Sequence, residues 1–300
     1  MLLNNNSKEP PCLKVYLNLD NLADLPDFSI WNGRRGKAAW TQLRANGFDG
    51  VQITDNNPVP DELDLPYCGL DRINSPSEAD SVFRLHKERG DSCITLHVGW
   101  GIEDDDDTFR LVEAILNASA RFDLPCFIET HRATITQDIW RTVQLTKKFP
   151  EILFNGDFSH YYCGLEMVYG DFHDKLDFME PIFSRIGFMH GRIASPGSMQ
   201  VPIQDSINKP FHAVGEVDYL EHFKEMWTRA MAGFLSNAGP GDVLIFAPEL
   251  LKSDIYYARV FPDASGKLVE ESDRYTQALL YQKIARECFN KANSLANPQF

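Results

Sequence analysis

Four apolar segments of this chain each lead to a side chain that can bind a metal ion. The polar residues are Glu129, Asp157, His190 and Glu249, and the apolar stretches cover 126–128, 152–154, 186–189 and 243–247. Continuous hydrophobicity is typical of strands in a parallel sheet, which are buried on both faces. In a barrel of parallel strands, the C-terminal ends share one face, where active sites are built. The pattern therefore predicts four strand ends that bring these residues to one point.

Strand-like and helix-like segments alternate along the rest of the chain, which favours a parallel sheet. Further strands are predicted at 13–19, 50–54 and 92–98, and helices at 34–45, 77–90, 104–121, 136–148, 219–237 and 272–296. The segment 55–75 is rich in Pro and Asp and is predicted to be a loop, and 256–261 is the best candidate for an eighth strand. We predict one (β/α)8 TIM barrel domain over residues 1–300, with a doubly wound open sheet as the alternative.

The formal net charge of −14 limits the partners of this chain. An acidic surface repels phosphate backbones, so a small-molecule substrate is favoured over nucleic acid. Six cysteines without a CxxC pair favour a reducing compartment. The first residues lack a signal-peptide pattern, and no apolar run approaches the roughly 18 residues of a membrane span. These features predict a cytoplasmic protein without a membrane partner, and they leave homo-oligomer formation open.

The four converging residues predict a metal site. Carboxylates combined with one imidazole are suited to a divalent cation such as Mn²⁺, Mg²⁺, Co²⁺ or Zn²⁺, and several of these ions fit equally well. Other candidate site residues lie at or just after strand ends, where they are predicted to contact the substrate. They are His97, His131, His160 and Arg192.

Two glutamates at one metal ion indicate proton transfer next to a carbonyl group. The cation would polarise a ketone or aldehyde and its adjacent hydroxyl and stabilise an enediolate. Glu129 or Glu249 would remove a proton from carbon, and the other glutamate would return it. Arg192 would hold substrate oxygens or the developing negative charge. The substrate expected from this chemistry is a sugar or keto-sugar.

The strand-end motifs resemble those of the xylose isomerase-like TIM barrel superfamily, and most closely its sugar phosphate isomerase/epimerase family. The motifs are Glu-Thr-His-Arg at 129–132, Asp-Phe-Ser-His at 157–160, His-Gly-Arg at 190–192 and Pro-Glu at 248–249. The resemblance spans about residues 45–285. It implies one divalent metal ion held by Glu129, Asp157, His190 and Glu249, with the two glutamates as the acid/base pair. It also implies that His160 and Arg192 hold substrate oxygens.

Three alternative functions are open at this point. The first is a metal-dependent lyase or dehydratase acting on keto-sugars or keto-glycosides, because the same enolate can expel a β-substituent. The second is a phosphodiesterase like the apurinic endonucleases of the superfamily, but their Asp-x-His pair after the metal-binding histidine is missing here, and the acidic surface also opposes this function. The third is a sugar-binding barrel without catalysis. The lysine motif that xylose isomerase uses for hydride shift is absent, which favours proton transfer.

The segment from Gly191 to Gly215 is too long for a simple connection. It contains several prolines and few large apolar residues, as binding loops and lids often do. We predict that it folds over the metal site with Arg192 and Gln200 facing inward. Trp31 and Trp100 follow predicted strands and are candidates for a sugar-stacking wall.

Overall fold

Eight parallel strands form a closed barrel in the computed structural model, which describes residues 1–31, 34–55, 57–203, 213–214 and 217–296. The strands follow one another around the ring, and pairing of the last strand with both the first and the seventh closes it. They are β1 (Cys12–Asn18), β2 (Gly50–Thr54), β3 (Tyr67–Ile73), β4 (Ile94–Val98), β5 (Cys126–Glu129), β6 (Phe154–Asn155), β7 (Ile186–Gly191) and β8 (Asp242–Pro248). The fold is the predicted (β/α)8 TIM barrel, and the open-sheet alternative is wrong.

The helices surround the barrel, and the predicted helix boundaries differ from the observed ones by three residues at most. The helices are α1 (Gly36–Ala45), α2 (Ala79–Arg89), α3 (Asp105–Phe122), α4 (Ile139–Lys148), α5 (Phe158–Gly164), α6 (Phe172–Phe178), α7 (Glu180–Phe183), α8 (Tyr219–Asn237) and α9 (Arg274–Ala296). Acidic residues begin several of them. The Asp104 carboxylate accepts a hydrogen bond from the Asp107 backbone N–H at 2.8 Å, which caps α3.

Two predictions about the barrel strands are wrong, one for a segment predicted as a loop and one for a segment predicted as a strand. The predicted loop 55–75 contains β3, which pairs with β2 and β4. Polar residues in β3 break the apolar pattern by which a buried strand is recognised in a sequence. One of them, Asp71, points outward and contacts His86 of α2 at 3.0 Å. Gly69 is required beneath that contact, because a Cβ there would lie 2.3 Å from His86 Nδ1. Because β3 was not predicted, the four predicted strands that lead to Glu129, Asp157, His190 and Glu249 are the fifth to eighth strands of the barrel, β5 to β8.

The segment 256–261 is not a barrel strand. Val260–Pro262 pairs antiparallel with Leu268–Glu270 in a separate two-stranded hairpin. All three residues of the first hairpin strand are exposed, whereas barrel strands are buried. A second short strand, Leu3–Asn4, runs antiparallel to the start of β8.

The barrel interior changes from apolar to polar toward the C-terminal ends of the strands. The lower part is filled by apolar side chains that include Tyr16, Phe127 and Phe188. Above it, Gln52 of β2 and Thr95 of β4 are fully buried polar residues that form a hydrogen bond with each other at 2.9 Å.

All six cysteines are free thiols. No helix in the described part of the chain combines the length and apolar character needed to cross a bilayer.

Candidate metal centre

The four predicted ligand residues converge at the C-terminal face of the barrel. Glu129 is the last residue of β5, and His190 lies one residue before the end of β7. Asp157 follows β6 and caps α5, and Glu249 directly follows β8. One ligand atom from each of the four lies within 4.8 Å of all the others, and all four residues are buried. The predicted convergence is confirmed, and this cluster could hold a metal ion.

The donor atoms of the cluster fit a divalent cation. Glu129 Oε1 and Asp157 Oδ2 are buried and accept no hydrogen bond of good geometry from a described residue; His97 Nε2 and Arg192 Nη1 lie beside them at 3.2 and 3.3 Å. Buried carboxylate oxygens that lack well-formed hydrogen bonds are costly, so such atoms suit a bound cation. Three carboxylates and one imidazole are ligands that Mn²⁺, Mg²⁺, Co²⁺ and Zn²⁺ accept, and the choice between these ions is open.

A buried amide orients the imidazole of the cluster. His190 Nε2 lies 2.9 Å from Gln52 Oε1, which is an acceptor, so Nε2 carries a proton. The other ring nitrogen, Nδ1, faces Glu129 Oε2 at 3.1 Å and Glu249 Oε2 at 3.5 Å. Asn18 extends this network, because its Nδ2 donates to Gln52 Oε1 at 3.0 Å and to Glu249 Oε1 at 3.2 Å. Gln52 and Asn18 therefore present His190 Nδ1 and Glu249 to the centre of the cluster.

Charges inside the cluster shift several pKa values. Burial opposes ionisation of Glu129, but His97 and His190 outweigh it and hold the Glu129 pKa well below its usual range. Burial raises the pKa of Asp157 to about 6, although Arg192 opposes the shift. Burial also opposes protonation of His190, yet Glu249 and Glu129 raise its pKa to about 9. A bound cation would replace the proton on this imidazole.

Arg192 lies among the residues of the cluster. It is 1% exposed; its Nε donates to the Glu249 backbone carbonyl at 2.9 Å, and its Nη2 contacts the Glu249 carboxylate. Its Nη1 lies 3.3 Å from Asp157 Oδ2, and the Tyr257 ring covers its guanidinium at 4.4 Å. Arg192 thus positions two of the predicted ligands, a contact that sequence reasoning did not foresee. The predicted contact of Arg192 with substrate oxygens is still a prediction.

Three histidines form a wall beside the cluster. His97 Nε2 is 3.2 Å from Glu129 Oε1, and the ring centres of His131 and His160 are 3.7 Å apart. His131 Nδ1 accepts the Ala133 backbone N–H at 3.0 Å. Neither ring nitrogen of the buried His160 has a hydrogen-bond partner among the described residues. All three predicted histidines therefore lie beside the cluster, and their contact with a substrate is still a prediction.

The long segment after β7 is only partly described, because residues 204–212 and 215 lie outside the described residues. Gln200 is buried, and its amide exchanges two hydrogen bonds with the Leu251 backbone, at 3.2 and 2.9 Å. It joins the segment after β7 to the segment after β8. Trp31 is buried against Tyr275, with ring centres 4.6 Å apart, so it is a core residue; Trp100 is 57% exposed.

The sequence offered a weak signal for the residues that were missed. Gln52 interrupts an apolar strand, and Asn18 ends β1. A buried amide within such a strand must find partners inside the barrel, which marks it as part of a polar network. Tyr257 had no signal, because its place over Arg192 depends on the path of the chain after β8.

Comparison with known proteins finds similarity only at the level of the fold. No protein-family model and no curated protein matches the chain. A solved structure described as a D-tagatose 3-epimerase-like protein has a TM-score of 0.51 and 9% identity, covering 94% of this chain and 99% of that chain. Another, the probable 3-DHS dehydratase AsbF involved in petrobactin synthesis from Bacillus anthracis, has a TM-score of 0.49 and 13% identity over 95% and 100%. The chain therefore shares its TIM barrel fold with the first of these structures over nearly the whole length of both chains.

Proposed function

We propose that the protein is a divalent-metal-dependent isomerase or epimerase of a sugar or keto-sugar. The observation that carries the proposal is the approach of two glutamates to one point from different walls of the barrel. Glu129 on β5 and Glu249 after β8 both lie within 3.5 Å of His190 Nδ1. Two carboxylates so placed can serve as a proton acceptor and a proton donor for one small substrate.

The two glutamates would carry out the proton transfer. Glu129 or Glu249 removes the proton from the carbon next to the carbonyl, and the other glutamate returns a proton to the same or the neighbouring carbon. A divalent cation at the cluster would polarise the carbonyl and stabilise the enediolate charge. All four residues are buried, so little water would reach the reacting atoms of a bound substrate.

Residues around the glutamates would hold and orient the substrate. Neither buried ring nitrogen of His160 forms a hydrogen bond with a described residue, although Nε2 lies 3.5 Å from Asp157 Oδ2, and this suits hydrogen bonding to a substrate hydroxyl. His97 and His131 border the same side of Glu129. Arg192 keeps Glu249 and Asp157 in place and would also bind a substrate oxygen. The shared fold with a structure described as D-tagatose 3-epimerase-like is consistent with this chemistry.

Deuterium uptake tests the proposal. Protein supplied with Mn²⁺ is incubated in D₂O with a panel of ketoses and keto-sugars, and recovered sugar is analysed by NMR and mass spectrometry. We expect one deuterium at the carbon next to the carbonyl, without loss of water or aglycone. Release of water or aglycone would identify the lyase alternative. Wild-type turnover by a Glu129→Gln variant that still binds metal would disprove the acid/base role of Glu129.

A further inference from the structure

Arg72, on the strand that was not predicted, faces the inside of the barrel. In the parallel pair of β3 and β4, Arg72 lies opposite His97, and register partners point to the same face. His97 points inward, because its Nε2 is 3.2 Å from Glu129 Oε1. The neighbouring Asp71 points outward to His86 of α2. Arg72 therefore stands one strand from His97, on the inner surface of the barrel mouth.

The guanidinium of Arg72 is held in place and forms no close ion pair with a described carboxylate, although Glu129, Asp55 and Glu103 lie near enough to act on its charge. Its Nη1 donates to the Gly99 carbonyl at 2.7 Å, and its Cζ lies 4.2 Å from the centre of the Trp100 ring. The Glu103 carboxylate, on the neighbouring loop, accepts three backbone N–H groups instead of pairing with Arg72. Four of the five N–H donors of Arg72 thus have no acceptor in the part of the chain that the structure describes.

Arg72 borders the same opening as the metal cluster. Electrostatic interaction links Arg72 to Glu129 and to Tyr257, whose ring covers Arg192. Strands β3 and β5 are two strand spacings apart, about 10 Å. A five- or six-carbon chain can bridge such a distance, once a metal–oxygen bond of about 2.1 Å and a hydrogen bond of about 2.9 Å are included.

We propose that Arg72 forms an anion subsite, which selects sugars that carry a carboxylate or a phosphate at the end remote from the reacting carbonyl. The inference rests on the proposed function, because it places the carbonyl end at Glu129 and Glu249. A guanidinium presents a planar fork to either anion, and the Trp100 face keeps this fork in one orientation. Because the half-buried guanidinium forms no close ion pair within the described part of the chain, an anionic group of the substrate can pair with it.

Calorimetric titration with matched ketoses tests the subsite. The probes are D-fructose, D-fructuronate and D-fructose 6-phosphate, added to protein that contains Mn²⁺. We expect one of the two anionic ketoses to bind at least about tenfold more tightly than D-fructose, because hydrogen bonds to a charged group change a dissociation constant by at least about that factor. The preferred anion then distinguishes a sugar acid from a sugar phosphate. Equal binding of neutral and anionic ketoses, or no binding of either anion at millimolar concentration, would overturn the subsite.

Variants assign the preference to Arg72. Arg72→Gln should remove the anionic preference and leave Mn²⁺ affinity and the thermal unfolding midpoint nearly unchanged. Arg72→Lys should keep part of the preference, because it keeps the charge and loses the fork. Arg44→Gln is the matched control, since this exposed arginine pairs with Asp64 outside the site. An anionic preference that survives in Arg72→Gln, or that Arg44→Gln also removes, contradicts the inference.

Deuterium uptake separates this inference from the proposed function. Anion preference without deuterium uptake from any of the three ketoses would support the subsite and count against proton transfer. Deuterium uptake without anion preference would support proton transfer and overturn the subsite.

Discussion

His190 and Gln52 meet across the interior of the barrel, with His190 Nε2 2.9 Å from Gln52 Oε1, although β7 and β2 are separated by two strands. The contact determines which imidazole nitrogen faces the carboxylates. Gln52 is itself held by Asn18 and Thr95. A residue far from the ligands in sequence therefore orients the only imidazole of the cluster.

Replacing Gln52 should weaken metal binding. Gln52→Leu removes the acceptor for His190 Nε2–H, and loss of such an orienting contact costs about 10- to 100-fold in metal affinity. Gln52→Glu keeps an acceptor oxygen and is the matched control, with a much smaller loss. Competition titration with a chromophoric chelator measures both affinities. Equal affinities of Gln52→Leu and wild type would show that the amide does not position the imidazole.

Metal binding should release protons. His190 has a pKa raised to about 9, so near pH 7.5 it is protonated before the cation binds. Its Nδ1 must lose that proton to coordinate, and affinity should therefore rise about tenfold for each step of one in pH between about pH 6.5 and 8.5. Calorimetry of Mn²⁺ binding in buffers of different ionisation enthalpy counts the protons. His190→Gln should bind more weakly and without this slope; a pH-independent affinity of the wild type would contradict the account.

Stability should fall at alkaline pH because of His86. Burial opposes its charge, but hydrogen bonds to Asp71 and Asp91 raise the His86 pKa above its ordinary value of 6.5. The raised pKa stabilises the fold fully below pH 6.5, and this stabilisation is lost as pH rises through the folded-state pKa. A tenfold difference between the proton affinities of the folded and unfolded states corresponds to about 1.4 kcal/mol in the free energy of unfolding.

Urea unfolding between about pH 6 and 9 measures this loss. His86→Gln should show a flatter dependence than wild type, because a glutamine does not titrate. The same slope in both proteins would mean that another group is responsible.

A buried arginine on α9 should be important for stability. Arg274 is 1% exposed, pairs with Glu270 at 2.8 Å and donates to four carbonyl groups of the segment after β1. Arg274→Met leaves these groups without partners, and we expect a loss of about 3–5 kcal/mol. Arg286→Met is the control on the same helix; its more exposed pair with Asp49 should contribute about 0–1 kcal/mol. Similar losses in the two variants, measured by urea unfolding, would refute the prediction.

The sequence predicts the strand-end cluster well because each ligand follows a continuous apolar run. It does not predict β3, where Gly69, Asp71 and Arg72 interrupt the apolar pattern. Their reasons are tertiary: Asp71 meets His86 of α2, and Gly69 makes room for that contact. A residue whose partner is distant in sequence cannot be recognised from local periodicity. Gln52 was missed for the same reason, since it lies more than a hundred residues from His190.

The dependence of deuterium uptake on metal tests the central claim most directly. Protein is stripped with a chelator and titrated with Mn²⁺ in D₂O, in the presence of the ketose that exchanges fastest, and the exchange rate is followed by NMR. We predict no exchange without metal, a linear rise that saturates at one ion per chain, and no exchange by His190→Ala at that stoichiometry. Exchange that persists after complete metal removal, or that is unchanged in His190→Ala, would contradict the account.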